Sequence, residues 1–292
     1  MSEIFNSDFF KSLTSLKLAM HLRLEKGMSG GRKSSAKGAS VEFSDFREYI
    51  PGDDVRRIDW NVYGRMDKLY IKQFMEEKEA TYHIFLDNSR SMDFGAEKKS
   101  VMALRLAGAF AYMILGQLDR VAIHTVTAEN IGQHNPVTGR ASFQRILQEL
   151  EQVTFSGNTY LEDSVRRCSI KGRGVSILLS DFLDVHGVEG LIKYLAFQKQ
   201  EVVLIQILSR EEVDFYGEGT VNLIDSETRE ELKITMTRQS IRLYEEQMAR
   251  HQEQIARIAR KYGCVYEQVV SDEPLHKVIF EGFQNTGFLL TK

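Results

Sequence analysis

The sequence has few of the residues that build zinc sites or cross-linked folds. It contains two cysteines, Cys168 and Cys264, among 292 residues, and they form neither a CxxC motif nor a Cys/His ligand spacing. A disulfide framework is therefore not indicated, and a reducing, cytoplasmic compartment is expected. The first residues, MSEIFNSDFFKSL, also carry acids where a secretory signal peptide carries positive charge.

Long apolar runs and an excess of positive charge are also missing. The most apolar stretch, residues 101–118, is interrupted by Arg105, and the remainder is shorter than the roughly 20 residues that cross a bilayer. We therefore expect a buried helix there and no integral membrane span. The formal net charge is −3, so the protein as a whole is not attracted to polyanions, and no nucleic-acid partner is expected.

From residue 80 onward, apolar runs with the length of buried strands alternate with helical patterns. This alternation predicts an α/β fold with a doubly wound, mostly parallel, Rossmann-like sheet. The predicted strands are 81–87, 120–127, 175–181, 201–209 and 264–270. The predicted helices are 98–118, 142–152, 160–169, 188–198, 238–262 (capped by Gly263) and 274–284, with a β-hairpin near 220–236.

Residues 1–79 have a different character. A helical pattern at 4–26 is followed by a basic Gly/Ser-rich loop and then by a block, residues 41–74, that is dense in aromatic and charged residues. A turn signal at Pro51 and Gly52 favours short strands and turns over helices in this block, and Trp60 is expected to anchor its core. We therefore divide the chain into an N-terminal extension, 1–79, and an α/β domain, 80–292.

Polar residues follow the ends of several predicted strands. Asp87 and Asp181 each close an apolar strand, at the edge where doubly wound sheets bind ligands. Ser89 and Ser91 follow Asp87 at alternate positions, and Thr159 precedes a predicted helix. Two carboxylates and three hydroxyls suit a hard divalent cation, so Mg²⁺ is expected, and Mn²⁺ or Ca²⁺ could take its place.

These residues, in the order Asp87-x-Ser89-x-Ser91, Thr159, Asp181, resemble the metal-ion-dependent adhesion site of von Willebrand factor A domains. The resemblance implies a von Willebrand factor A-like fold in which the serines and the threonine contact the metal, directly or through water. It also implies that the two aspartates act mainly through waters and that an acidic residue of a client protein completes the site.

The segment KGASVEFSDFREYIPGDDVRRIDW, followed by LYIKQFMEEKE, DNSRSM and LLSDFLD, is similar to the bacterial family that carries domain of unknown function fifty-eight. This resemblance implies partnership with a MoxR-type AAA+ ATPase in client remodelling, assembly or maturation. No Walker motif is present in the sequence, so ATP hydrolysis would come from the partner.

The upstream charged block allows two interpretations, a structural brace or a surface that docks the ATPase. Its candidate partner-binding residues are Arg47, Asp53, Asp54, Arg56, Arg57 and Asp59.

The leading hypothesis is a non-catalytic, metal-dependent interaction protein. A magnesium-dependent phosphohydrolase that uses Asp87 or Asp181 is the alternative, although Ser89 stands where such enzymes carry a second carboxylate and the three site loops contain no lysine. A third hypothesis is nucleic-acid binding through the basic N-terminal arm. His83 and His124 lie inside predicted strands and are interpreted as hydrogen-bonded core residues.

Overall fold

The computed structural model describes residues 4–22, 41–66, 68–76, 80–128, 131–158, 160–183, 187–214, 219–224, 231–283 and 289–291. The chain forms two compact units. The first combines Met1–Leu24 with Ala80–Lys292, and the second is Glu25–Glu79.

The regular elements are labelled in chain order. The strands are β1 (Met20–Leu22), β2 (Val41–Glu48), β3 (Tyr70–Glu76), β4 (Thr81–Asp87), β5 (Arg120–Val126), β6 (Ile131–Gln133), β7 (Gly174–Ser180), β8 (Gln200–Leu208), β9 (Gly219–Ile224), β10 (Glu231–Met236), β11 (Val265–Val270) and β12 (Leu289–Thr291). The helices are α1 (Ser7–Ala19), α2 (Trp60–Met66), α3 (Lys99–Gly116), α4 (Phe143–Glu151), α5 (Leu161–Arg167), α6 (Glu189–Phe197), α7 (Arg210–Val213), α8 (Arg238–Lys261) and α9 (Leu275–Lys277).

The first unit is built on a central sheet with the strand order β6-β5-β4-β7-β8-β11. Neighbouring strands pair in parallel, except that β6 runs antiparallel to β5. β4 and β7 are buried along nearly their whole length. Burial on both faces explains why these strands are continuous apolar runs without alternation.

Helices cover both faces of this sheet. α3 contacts β4, β5, β7 and β8, whereas α5, α6 and α8 contact β5, β8 and β11 respectively. On the α5–α6 face, a buried cluster joins the strand residues Phe85, Leu178 and Leu204 to Val165 and Ile192 of the helices. The predicted doubly wound α/β architecture is confirmed.

α3 is the central helix of the other face. Among the described residues it is the one helix long and apolar enough to cross a membrane by length and composition, and 78% of it is buried within the fold. This burial agrees with the predicted core helix.

The predicted elements of this unit are found with small shifts. The four predicted strands between residues 81 and 209 correspond to β4, β5, β7 and β8, and Gly263 ends α8 with φ of 67°. The expected closing helix is only α9, followed by a π-helical turn at Val278–Gly282. β6 was not predicted because three residues carry no periodicity. The predicted turn of the β9–β10 hairpin, 225–230, lies outside the described residues.

The first helix belongs with the α/β unit, which differs from the predicted division at residue 79. Phe5, Phe9 and Leu13 are buried, and the first two lie close enough to Gly108 of α3 that a Cβ there would approach their rings to 3.1–3.2 Å. Arg105 of α3 also donates a hydrogen bond to the carbonyl of Ile4, at 2.9 Å. The apolar face of α1 is thus covered by α3, which explains the grouping.

The second unit contains the antiparallel pair β2–β3 and the short helix α2. The helix differs from the expected strands and turns. Asp59 provides its start, since its carboxylate accepts hydrogen bonds from the backbone N–H groups of Asn61 and Val62. Trp60 is 64% exposed, so its prediction as a core anchor is wrong.

Two histidines lie in the core of the sheet, as predicted. The ring nitrogens His83 Nδ1 and His124 Nε2 are 3.0 Å apart and share a hydrogen bond. Their other ring nitrogens, among the described residues, are buried without a partner. Burial lowers the pKa of His83 to about 4, and burial together with the neighbouring His83 lowers that of His124 to about 3. Both rings are therefore neutral in the native protein near pH 7.

This pair predicts acid sensitivity. Unfolded histidines take up protons below their usual pKa near 6.5, whereas the native rings stay neutral until about pH 4, so acid favours unfolding between these values. The loss is up to about 1.4 kcal/mol per pH unit for each ring. Chemical denaturation from pH 7 to pH 4.5 should therefore show a shallower pH dependence for His83→Leu/His124→Leu than for wild type.

The matched control for this experiment is His276→Leu, which changes an exposed histidine. It should keep the wild-type pH dependence. Equal slopes for the wild type and the double variant would contradict the assignment of the buried pair.

Candidate functional site

The carboxylate of Asp87 is buried at the end of β4, a central strand of the sheet. Its Oδ1 accepts a hydrogen bond from the backbone N–H of Ser89 at 3.0 Å, and its Oδ2 accepts one from Ser180 Oγ at 2.7 Å. Burial, with a smaller contribution from the charge of Asp181, raises the pKa of Asp87 to about 6. The side chain is held in place before any ligand arrives.

The two serines after Asp87 form a pair of hydroxyls. Ser89 precedes the 3₁₀ turn Arg90–Asp93, and its Oγ lies 3.1 Å from Ser91 Oγ. Ser89 is fully buried, whereas Ser91 is partly exposed. The pair therefore lies between the buried carboxylate and solvent.

The loop that leads to Thr159 packs against this turn through its backbone. Ser156 N–H donates to the carbonyl of Asn88 at 2.9 Å, and Arg90 N–H donates to the carbonyl of Gly157 at 3.1 Å. Thr159 itself lies outside the described residues. Its place in the predicted ligand set stays a prediction.

Asp181 follows the end of β7 and is nearly fully buried. Its Oδ1 accepts from the backbone N–H of Leu183 at 3.2 Å, and its carbonyl accepts from Gln206 Nε2 at 2.8 Å. The next residue, Phe182, has φ of 51°, in the left-handed region that is costly for an aromatic residue. Such backbone strain is common at functional sites.

Lys99 was not among the predicted site residues, yet it contacts Asp181 directly. Its Nζ donates to Asp181 Oδ2 at 2.8 Å and to Glu212 Oε1 at 2.7 Å, and its side chain is 1% exposed. Burial by itself lowers the pKa of Lys99, but the charges and hydrogen bonds of the two acids raise it above its usual value. The phosphohydrolase alternative was disfavoured because the site loops lack a lysine; here α3 supplies one, although both acids already hold it.

The loop after β8 completes the site. Glu212 forms a capping box with Ser209 at the start of α7, in which Glu212 Oε2 accepts from the Ser209 N–H at 2.8 Å. Gly95, with φ of 99°, lies against this loop, and a Cβ at Gly95 would meet Ser209 Cβ at 2.7 Å. Glycine is therefore required for the close approach of the two loops.

The oxygens at this site fit a small divalent cation. Two ligands at right angles on Mg²⁺ are about 3 Å apart, and the hydroxyl oxygens of Ser89 and Ser91 are separated by 3.1 Å. Two carboxylates, from Asp181 and Glu212, share one ammonium, so this group of three side chains has excess negative charge. Within the described ranges, no group of three or more His, Cys, Asp or Glu residues could hold a metal ion.

The predicted partner-binding residues lie in the second unit, where most of the acids have local structural roles. Asp53 forms an ion pair with Arg47 at 2.8 Å, and Asp54 accepts a hydrogen bond from the Arg56 N–H at 3.0 Å. Asp59 caps α2. The backbone of Arg57 lies in a 3₁₀ turn, and its side chain lies outside the described set.

The same unit exposes several large apolar side chains that the sequence pattern does not indicate. Trp60 and Tyr63 of α2 are exposed, and their rings meet edge-to-face with centroids 6.2 Å apart. The exposed large apolar residues of this unit, called its apolar surface below, are Phe46, Ile50, Val55, Trp60, Tyr63 and Met66. Among the described residues, the exposed Arg56 and Arg65 take part in no ion pair.

Parallel strands with polar residues at their carboxyl ends place the chain among doubly wound α/β proteins with a site at that edge. The chain belongs to the family described as "Protein of unknown function DUF58", whose model matches residues 45–254. The uncharacterized protein Rv1480 of Mycobacterium tuberculosis is 25% identical over 224 residues, covering 74% of this chain and 70% of the relative. The uncharacterized protein Mb1516 of Mycobacterium bovis matches equally, at 25% over 224 residues.

Solved structures show similar folds. BatB from Bacteroides thetaiotaomicron has a TM-score of 0.45 at 16% identity, covering 71% of this chain and 98% of that chain. The SpRpn10 VWA domain has a TM-score of 0.38 at 11% identity, covering 69% and 94%. At these values the likeness carries no argument about function. The predicted DUF58 membership is confirmed by the family match, and the predicted doubly wound α/β architecture by the strand order of the central sheet.

The hydrogen bond between Ser180 and Asp87 predicts an unequal response to serine removal in β7. Ser180→Ala removes a donor to a buried charge and should lower the free energy of unfolding by about 1.5–3 kcal/mol. Ser176→Ala is the control, because Ser176 is equally buried but donates to the neutral amide oxygen of Gln200. Its loss should be about 1 kcal/mol. Denaturant titration at pH 7.5 measures both, and equal losses would contradict a charged Asp87.

Proposed function

We propose that this protein is a non-catalytic interaction adaptor that captures a partner carboxylate through a divalent cation, most naturally Mg²⁺. The observation that carries the proposal is the pair of hydroxyls, Ser89 and Ser91, 3.1 Å apart in front of a buried Asp87. Mn²⁺ or Ca²⁺ could occupy the same place. Bound there, the cation would supply positive charge to attract an acidic side chain.

Each residue has a distinct part in this proposal. Ser89 and Ser91 would hold the cation as neutral oxygen ligands, with Thr159 as a further hydroxyl. Asp87 would balance its charge from behind, fixed by the Ser89 N–H and Ser180 Oγ. Neutral ligands leave the cation more positive than a ring of carboxylates would. Asp181 would act at a distance from the ion because Lys99 already engages it.

The geometry favours binding over phosphohydrolysis. An aspartate nucleophile must be reached by its substrate, but both oxygens of Asp87 accept internal hydrogen bonds and the residue is fully buried. A phosphate-binding lysine must likewise be accessible, and Lys99 is 1% exposed between two acids. Of the site residues in the Asp87 loop, Ser91 is partly exposed, and its hydroxyl lies 3.1 Å from that of the buried Ser89.

The proposed partners are a MoxR-type AAA+ ATPase and a client protein that supplies the acidic residue, in the cytoplasm. The partnership with the ATPase is what the resemblance to the DUF58 family implies. The work done on the client would be remodelling, assembly or maturation, with the ATPase as the source of energy.

We further propose that the ATPase docks on the second unit. Asp53 is paired with Arg47, whereas Arg56 and Arg65 are exposed and, among the described residues, take part in no ion pair. Exposed Trp, Tyr and Arg are residue types enriched at binding hot spots. This surface is complementary to an acidic, amphipathic segment of the partner.

Removing the two hydroxyls should abolish cation-dependent capture. Ser89→Ala/Ser91→Ala removes two ligands without removing charge, so the fold should persist while Mg²⁺-dependent retention of the ATPase or client in a pull-down falls to the level seen with EDTA. Ser142→Ala, at the start of α4, is the control and should behave as wild type. Retention by the double variant that still responds to EDTA would overturn the proposal.

Changes in the second unit should separate docking from metal binding. Arg56→Ala/Arg57→Ala and Trp60→Ala should each weaken ATPase binding about tenfold or more, with Mg²⁺ affinity unchanged. Lys68→Ala, which breaks an exposed pair with Glu48, is the control and should have little effect. Loss of the circular dichroism spectrum in these variants would instead identify the block as a structural brace.

A further inference from the structure

Lys99 is a buried cation built into the candidate site. It begins α3, and its ammonium lies between Asp181, beyond the end of β7, and Glu212, beyond the end of β8. Both acids are also fixed by backbone groups: Asp181 Oδ1 by the Leu183 N–H at 3.2 Å, and Glu212 Oε2 by the Ser209 N–H at 2.8 Å. The three charges are therefore fixed relative to one another and to the backbone of their loops.

This arrangement occupies both oxygens of Asp181. Oδ2 is bound to Lys99 and Oδ1 to a backbone donor. A direct bond from Asp181 to a cation near Asp87 would compete with the ammonium and the backbone donor for this carboxylate, and weakening a buried ion pair is costly. Lys99 thus keeps one of the two strand-end carboxylates away from the ion.

We propose that Lys99 is a specificity-determining residue that weakens cation binding in order to strengthen capture of a carboxylate. This inference rests on the proposed function of the site. By holding Asp181 and adding a positive charge, Lys99 leaves the bound cation with a net attraction for one further anionic oxygen. Without Lys99, Asp181 would satisfy the cation, and an incoming carboxylate would be repelled.

The inference predicts opposite changes in two affinities, which a merely structural lysine would not produce. In Lys99→Met, the affinity for Mn²⁺ should rise about tenfold, because a nearby positive charge is removed and Asp181 is released. The affinity of the Mn²⁺-loaded protein for acetate should fall about tenfold for the same reason. Lys99→Arg, which retains the charge, should stay closer to wild type in both.

Lys98→Met is the matched control. Lys98 is the adjacent residue, and its replacement makes the same change in net charge, but its side chain is 50% exposed and pairs with Asp93 at 2.9 Å. Electron paramagnetic resonance of free Mn²⁺ gives the metal affinity, and water-proton relaxation of bound Mn²⁺ titrated with acetate gives the second affinity. Lys98→Met should leave both near the wild-type values.

Lys99→Met leaves two acids without their cation, so its folding is measured with and without Mn²⁺. If it is unfolded without the ion, Lys99→Met/Glu212→Gln, which removes one of the two negative charges, is used in its place. The same opposite changes in affinity are expected for that variant.

The outcomes separate this inference from the proposed function. In one outcome, wild type binds Mn²⁺ and acetate, and both affinities are lowered or unchanged in Lys99→Met. This result would overturn the inference and leave the proposed function standing. Wild type that takes up no Mn²⁺ while Lys99→Met does so would overturn both, because the native protein would then hold no cation that could capture a carboxylate. Absence of Mn²⁺ binding in both proteins would overturn both.

Discussion

A carboxylate with no exposed surface, at the end of a central strand, is stable only if its negative charge is compensated. The groups around Asp87 provide this compensation. The charge of Asp87 is held by a backbone N–H and by the hydroxyl of Ser180, yet burial still raises the pKa of Asp87. A second buried carboxylate, Asp181, follows the adjacent strand. Two such charges persist in a core only when positive charge or strong hydrogen-bond donors accompany them.

The buried charges at the two strand ends are compensated in different ways. Lys99 neutralises the Asp181 side and links it to Glu212, so that end of the cluster is closed. On the Asp87 side, the buried Ser89 and the partly exposed Ser91 supply hydroxyls that carry no net charge. Asp181 is fixed by its ion pair with Lys99. The Asp87 side, in contrast, has the carboxylate and hydroxyl oxygens that suit a cation site. This asymmetry is the basis for the proposal of a binding function.

Much of this architecture could be predicted from the sequence because buried parallel strands are continuous apolar runs. Asp87 and Asp181 follow from that pattern, since strand ends at one edge of a sheet are neighbours. The Ser89–Ser91 pair follows from its alternate spacing. Lys99 could not be predicted in this way: Lys98 and Lys99 are adjacent at the start of a helix, and only the packing of α3 decides which of them is buried.

The second unit was harder to predict for a related reason. Its aromatic residues indicate a core only if something covers them, and Trp60 on α2 remains largely exposed. The acids that drew attention as a possible docking surface instead cap turns and pair locally, as Asp54 and Asp53 do. Local hydrogen bonding of this kind uses the same residue types as a binding surface, so composition alone does not separate the two.

The most direct test of the central claim is calorimetric titration of Mg²⁺ and Mn²⁺ into the full chain and into Asp87→Asn, which keeps the size of the side chain and removes its charge. The account predicts a single site on the wild type, with heat that is lost or strongly reduced in Asp87→Asn while the circular dichroism spectrum is retained. Equal binding by the two proteins would show that any cation lies elsewhere and would contradict a site built on Asp87.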